Sequence, residues 1–119
     1  MIKSKKLSRF REIEHSFFNR LGGKSKGIYK SLNCGTGSSD NKKNILKNLA
    51  LVEKKIKSGL SKIVLLNQIH SNKFYYLDKK SKPNLKKFIG DALVTNKSNT
   101  PIGVLTADCA PILIFDKKK

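Results

Sequence analysis

Apolar residues change their spacing along this chain, and each change marks an element. Ile45, Leu49, Val52 and Ile56 recur at intervals of three and four, which is one face of a helix. Ser39-Asp40 ahead of this stretch offers an N-cap and Gly59 behind it a C-terminal glycine, so the spacing predicts a helix over residues 40–58. From residue 63 onward the apolar residues gather into short compact runs. Residues 63–69 read as a buried strand ending at His70, with Ser71-Asn72 as a turn into a second strand at 74–77. Residues 92–95, 102–106 and 112–115 read as three further strands. The polar segment 79–87, with Pro83, is a connection, and residues 96–101 form a loop. Ahead of the helix, Phe17-Phe18 makes a first apolar patch, and Gly22-Gly23-Lys24-Ser25-Lys26-Gly27 makes a tightly turning loop. The expected class is α/β, a mixed sheet with at least one flanking helix. A strand as apolar as 112–115 needs neighbours on both sides, so the sheet is expected to be incomplete.

At 119 residues the sequence makes one small domain or part of a larger one. With 38% hydrophobic residues it can build a core, which argues against wholesale disorder. The apolar stretch from 102 to 115 is broken by Asp108 and falls short of the roughly 20 residues a transmembrane helix needs. Residues 1–12 form a basic lead-in without an apolar region behind it, so no secretory signal is expected and the cytoplasm is the expected location. Residues 13–119 form the domain proper.

The net charge of +18 raises the prospect of a nucleic-acid partner. However, 23 of the 26 basic residues are Lys, and only Arg9, Arg11 and Arg20 carry the planar fork that phosphate and base recognition favours. The lysines are spread along the whole chain, beside 11 Ile and 10 Asn, which share A/T-rich codons. A compositional bias suffices to explain the charge.

Candidate chemistry falls at the ends of the predicted strands. His70 follows one strand, and Cys109 sits in the break Asp108-Cys109-Ala110-Pro111 between two others. A His and a Cys can be metal ligands or a nucleophile with its base, but their separation of 39 residues matches no local zinc signature. A lone His after a strand is more often a hydrogen-bonded structural residue, and a Cys among apolar residues is usually a small core residue. Cys34 and Cys109 form no CxxC pair, and free thiols, or one ligand or nucleophile, are expected rather than a disulfide. Asp91 and Asp108 each stand beside an alanine in apolar surroundings, as turn caps or as acid–base groups. Arg20 leads into the glycine loop, an arrangement suited to phosphate, although the loop lacks the GxxxxGK[ST] pattern of a P-loop NTPase.

Four segments, in order, resemble the laccase-domain (YfiH-type) family. They are Phe17-Phe18-Asn19-Arg20-Leu21-Gly22-Gly23-Lys24-Ser25-Lys26-Gly27-Ile28-Tyr29 with Ser31-Leu32-Asn33, then Gln68-Ile69-His70, Asp91-Ala92-Leu93-Val94-Thr95 and Thr106-Ala107-Asp108-Cys109-Ala110-Pro111. Asn19, Ser71 and Gly90 stand where the family pattern has Thr, Gly and Ala. The resemblance implies the N-terminal portion of an α/β laccase-domain fold. It also implies a zinc-dependent purine nucleoside phosphorylase acting on adenosine, inosine, guanosine and methylthioadenosine with phosphate, together with adenosine deaminase activity.

Zinc would be held by His70, Cys109 and a second His from an HAGWRG-like segment, which this sequence does not contain. Arg20 and Asn33 would orient phosphate or ribose, and Asp91 or Asp108 would handle protons or orient a metal ligand. The sequence on its own is therefore expected to be weakly active or inactive. Two other readings stand beside this one: a small basic nucleic-acid-binding module, and a copper-dependent phenol oxidase. One His and one Cys are too few for a multicopper cluster.

Overall fold

A computed structural model describes residues 1–80 and 88–118, and the expected connection over 79–87 lies from residue 81 outside the described residues. The chain divides into two compact units, Met1–Gly59 and Leu60–Lys119.

In the first unit the predicted helix is present as α1, Lys42–Lys55. It starts two residues later than the expected 40–58, because Asp40 is engaged elsewhere. The Asp40 carboxylate accepts from Ser25 Oγ at 2.5 Å and Asn33 Nδ2 at 3.1 Å. The cap is Asn41, whose Oδ1 accepts from the Lys43 N–H at 2.9 Å. At the other end Ser58 N–H donates to the Glu53 carbonyl (3.1 Å) and Lys57 N–H to the Lys54 carbonyl (3.2 Å). That is a Schellman closure, and the residue in its left-handed position is Lys57, at φ 56°. Gly59, expected at that position, is also left-handed but lies two residues too far along.

The buried side of α1 is made by Ile45, Asn48, Val52 and Glu53, with Leu49 and Ile56 only partly covered. Asn48 is fully buried. Its Nδ2 faces Ser25 Oγ (2.9 Å), the Asn33 carbonyl (2.8 Å) and the Ser31 carbonyl (3.2 Å), and its Oδ1 accepts from the Lys24 N–H (2.7 Å). One side chain thus holds both the glycine loop and the 31–33 segment. These two backbones touch at Gly23, where a Cβ would overlap the Ser31 carbonyl and lie 2.5 Å from the Leu32 Cα. The lead-in is tied down as well. Ile2 and Phe17 exchange two backbone hydrogen bonds of 2.8 Å, Ser4 N–H donates to His15 Nε2 at 2.8 Å, and Lys3 pairs with Glu14.

The second unit carries a two-stranded parallel sheet, β1 (Phe74–Leu77) against β2 (Ala92–Thr95). Tyr75 and Leu77 turn inward from β1 and Leu93 from β2, where they pack with Val64, Leu66, Phe88 and Ile102. The rings of Tyr75 and Phe88 lie 4.0 Å apart between centroids. Phe74, Tyr76 and Val94 occupy the opposite, solvent-facing side.

The class is α/β as expected, but three predicted strands differ. Among the described residues, 63–69 form two isolated parallel bridges, Val64 with Ile102 and Asn67 with Ile89, and 102–106 contributes the first of these. The reason lies in side chains that enter the ladder. Val64 N–H donates to the Pro101 carbonyl and Gly103 N–H to the Val64 carbonyl, so a continued parallel ladder would give the Leu105 N–H to Leu66. That N–H goes instead to Gln68 Oε1. Residues 112–115 take no strand among the described residues, and Ile112 and Ile114 are 77% and 89% exposed.

A left-handed conformation costs a residue with a Cβ about 1–2 kcal/mol that glycine avoids, partly offset by glycine's greater freedom when unfolded. Replacing Lys57 by Gly is therefore expected to raise the stability of the first unit by up to about 1 kcal/mol, read as a later urea midpoint at unchanged slope.

Candidate metal centre and its supporting loops

His70 is exposed and left-handed, at φ 59°. What holds it there is Asp91. The Asp91 carboxylate accepts from the His70 N–H (2.9 Å), the Ser71 N–H (2.7 Å), the Ser71 hydroxyl (2.6 Å) and, at 3.4 Å, the Ile69 N–H. Successive N–H groups around a left-handed residue form an anion nest, and here the protein's own carboxylate fills it. The Ser71 hydroxyl, followed by the backbone donors and opposed by desolvation, holds the Asp91 carboxyl below the usual carboxylate range.

Asp91 reaches this place through Gly90. Asn67 N–H donates to the Phe88 carbonyl and Gly90 N–H to the Asn67 carbonyl, after which Asp91 N–H turns to the Lys73 carbonyl and the chain enters β2. A Cβ at Gly90, whose φ is 154°, would stand 2.9 Å from that Lys73 oxygen.

The Cys109 segment is tied to the His70 segment by Gln68. Its Nε2 donates to the Leu105 carbonyl and its Oε1 accepts the Leu105 N–H, both at 2.8 Å. Cys109 is exposed, and its thiol reaches the Asp108 carboxylate at 3.8 Å.

Arg20 and Asn33 belong to the first unit. Arg20 is exposed, and its carbonyl accepts from the Ser31 N–H (3.0 Å), the Leu32 N–H (2.7 Å) and Ser31 Oγ (2.9 Å). The Asn33 amide donates to Ser38 Oγ (3.0 Å) and Asp40, and accepts from the Gly35 N–H (3.0 Å). Its hydrogen bonds run within its own loop, so in this arrangement it shapes the loop. A hollow of about 260 Å³ in the same unit, lined by Lys3, Arg11, Glu14 and His15 among others, contains none of the expected site residues.

Among the described residues no three His, Cys, Asp or Glu side chains come together to hold a metal ion. The imidazole and thiol are donors of the kind zinc takes, but two protein donors fall one short of an open catalytic zinc site. Sequence reasoning passed over Asn48, Gln68 as a clamp and the part played by Ser71. A polar residue inside the apolar stripe of α1 was the available signal for the first. Among the described residues no helix is long and apolar enough to cross a membrane.

Because the Asp91 carboxyl is more acidic folded than unfolded, its hold on residues 69–71 is complete above the ordinary value of 3.8 and is lost as the pH falls below that. The Asp91 carboxyl-carbon resonance is accordingly expected to titrate with a midpoint below 3.8; a midpoint above it would contradict the nest. The two thiols should also differ. Cys34 is half-buried, and burial pushes its thiol up, while Cys109 is exposed. A thiol reagent near neutral pH is expected to modify Cys109 first, and Cys109→Ser should remove the fast phase.

The family model described as multi-copper polyphenol oxidoreductase laccase matches residues 14–119. A purine nucleoside phosphorylase of Bacteroides thetaiotaomicron is 31% identical over 124 aligned positions, covering 99% of this chain and 46% of the relative. One from Corynebacterium glutamicum is 32% identical over 108 positions, covering 91% and 44%. The chain thus spans just under half the length of these curated relatives. The crystal structure of YlmD from Geobacillus stearothermophilus shares the fold, with a TM-score of 0.66 at 23% identity over 76% of this chain and 36% of that one. The four sequence segments, the α/β structure and a match that takes in His70, Asp91 and Cys109 agree: the chain belongs to the multi-copper polyphenol oxidoreductase laccase family.

Proposed function

We propose that this chain carries part of a zinc-dependent purine nucleoside phosphorylase, which cleaves adenosine, inosine, guanosine and methylthioadenosine with phosphate and also deaminates adenosine. The observation that carries the reading is a pair of clamps in a chain whose relatives bear the phosphorylase name. Asp91 fixes the backbone of His70, and Gln68 fixes the run that leads to Cys109.

Two donors, neutral His70 and the Cys109 thiolate, would hold the metal, and a third would have to come from outside the described residues. Zinc, when bound, supplies a Lewis acid. Asp108, already within reach of the thiol, offers an acceptor for the proton Cys109 gives up. Asp91 acts on the backbone of His70 and holds it in place for coordination. In the first unit, Arg20 presents an exposed guanidinium suited to phosphate, ahead of a glycine loop that Asn48 holds through the Lys24 N–H and the Ser25 hydroxyl.

Residues 1–119 alone are expected to bind zinc weakly and to release little hypoxanthine from inosine and phosphate. Supplying the second half of a phosphorylase relative should restore release, and His70→Ala or Cys109→Ser should abolish it. If the complemented protein frees no purine base, or frees it equally well without His70, the reading fails.

A further inference from the structure

Gln68 takes both backbone groups of Leu105, 37 positions away, with two bonds of equal length. A primary amide offers one carbonyl and one N–H₂, so it can pair with a peptide group as another strand would. The swap has a geometric consequence. Val64 and Gly103 pair through their backbones, but the next rung is made by a side chain, so the run beyond Leu105 is released from the ladder. Residues 106–110, Cys109 among them, are all exposed. Gln68 stands two residues before His70, and Leu105 four before Cys109.

We infer that Gln68 is a positioning residue that sets the register of Cys109 against His70, an inference that rests on the metal-centre reading above. The clamp lets the thiol leave the sheet toward solvent while its run stays fixed to the run that carries the imidazole. Asn would be one methylene too short for both bonds. Glu would keep the bond from the Leu105 N–H and lose the one to its carbonyl.

The test is a cobalt(II) titration of the full chain, followed both by thiolate-to-cobalt absorption and by the ring resonances of His70. In the parent chain both probes should change over the same cobalt range; Cys109→Ser should remove the thiolate band, and His70→Ala should move that band to higher cobalt concentration. Gln68→Met keeps the bulk and loses both bonds. It is expected to weaken cobalt binding about tenfold or more and to separate the two probes. Gln68→Glu should fall between, and serves if the Met variant folds poorly; amide protection at Val64 and Gly103 reports on folding in each. Unchanged affinity in Gln68→Met overturns the inference and leaves the metal centre standing, as does weaker binding with the probes still coincident. A parent chain in which neither probe responds removes the metal centre and this inference with it.

Discussion

A backbone N–H or C=O that leaves water must find a partner, and an unpaired buried one costs about as much as a lost hydrogen bond. Regular ladders meet that demand for only part of this chain, since α1 has 14 residues and each strand four. Side chains supply partners elsewhere. Asn48 gathers the Lys24, Ser31 and Asn33 backbone groups, Asp91 gathers the N–H groups of residues 69–71, and Gln68 takes both groups of Leu105. Among the described residues, no buried side-chain nitrogen or oxygen is without a partner. Side-chain networks of this kind stabilise when complete and are costly when any member is missing.

This way of satisfying the backbone decides what the sequence could disclose. The body of α1 was legible because its apolar stripe has helical spacing, and β1 and β2 because short β-branched and aromatic runs sit between turn residues. The ends of α1 were not. Asp40 resembles a cap by residue type, yet its carboxylate is drawn to Ser25 and Asn33 by contacts distant in sequence. Residues 63–69 and 102–106 have the composition of buried strands, but amide and carboxylate side chains take over their rungs, and hydrophobic pattern does not record such a substitution. The apolar run 112–115 takes no strand among the described residues.

The candidate site divides along the same line. His70, Cys109, Asp91 and Asp108 were legible as chemically capable residues at strand ends. What each does depended on tertiary geometry. Asp91 is committed to the 69–71 backbone, and Asn33 faces its own loop. Ser71, which departs from the family pattern, adds a hydroxyl donor to the Asp91 nest. The hydroxyl at this loop position thus adds a fourth donor to the carboxylate that anchors the His70 backbone.

The burial of Asn48 has a chemical corollary. Hydrolysis of that single amide to a carboxylate would replace its N–H₂ by an oxygen facing the Ser31 and Asn33 carbonyls, so attraction would become repulsion where no water enters. Its position in the middle of α1 holds the following peptide nitrogen away from the cyclic imide geometry through which such ageing proceeds. The helix that depends on this amide for its tertiary contacts is also what protects the amide from decay.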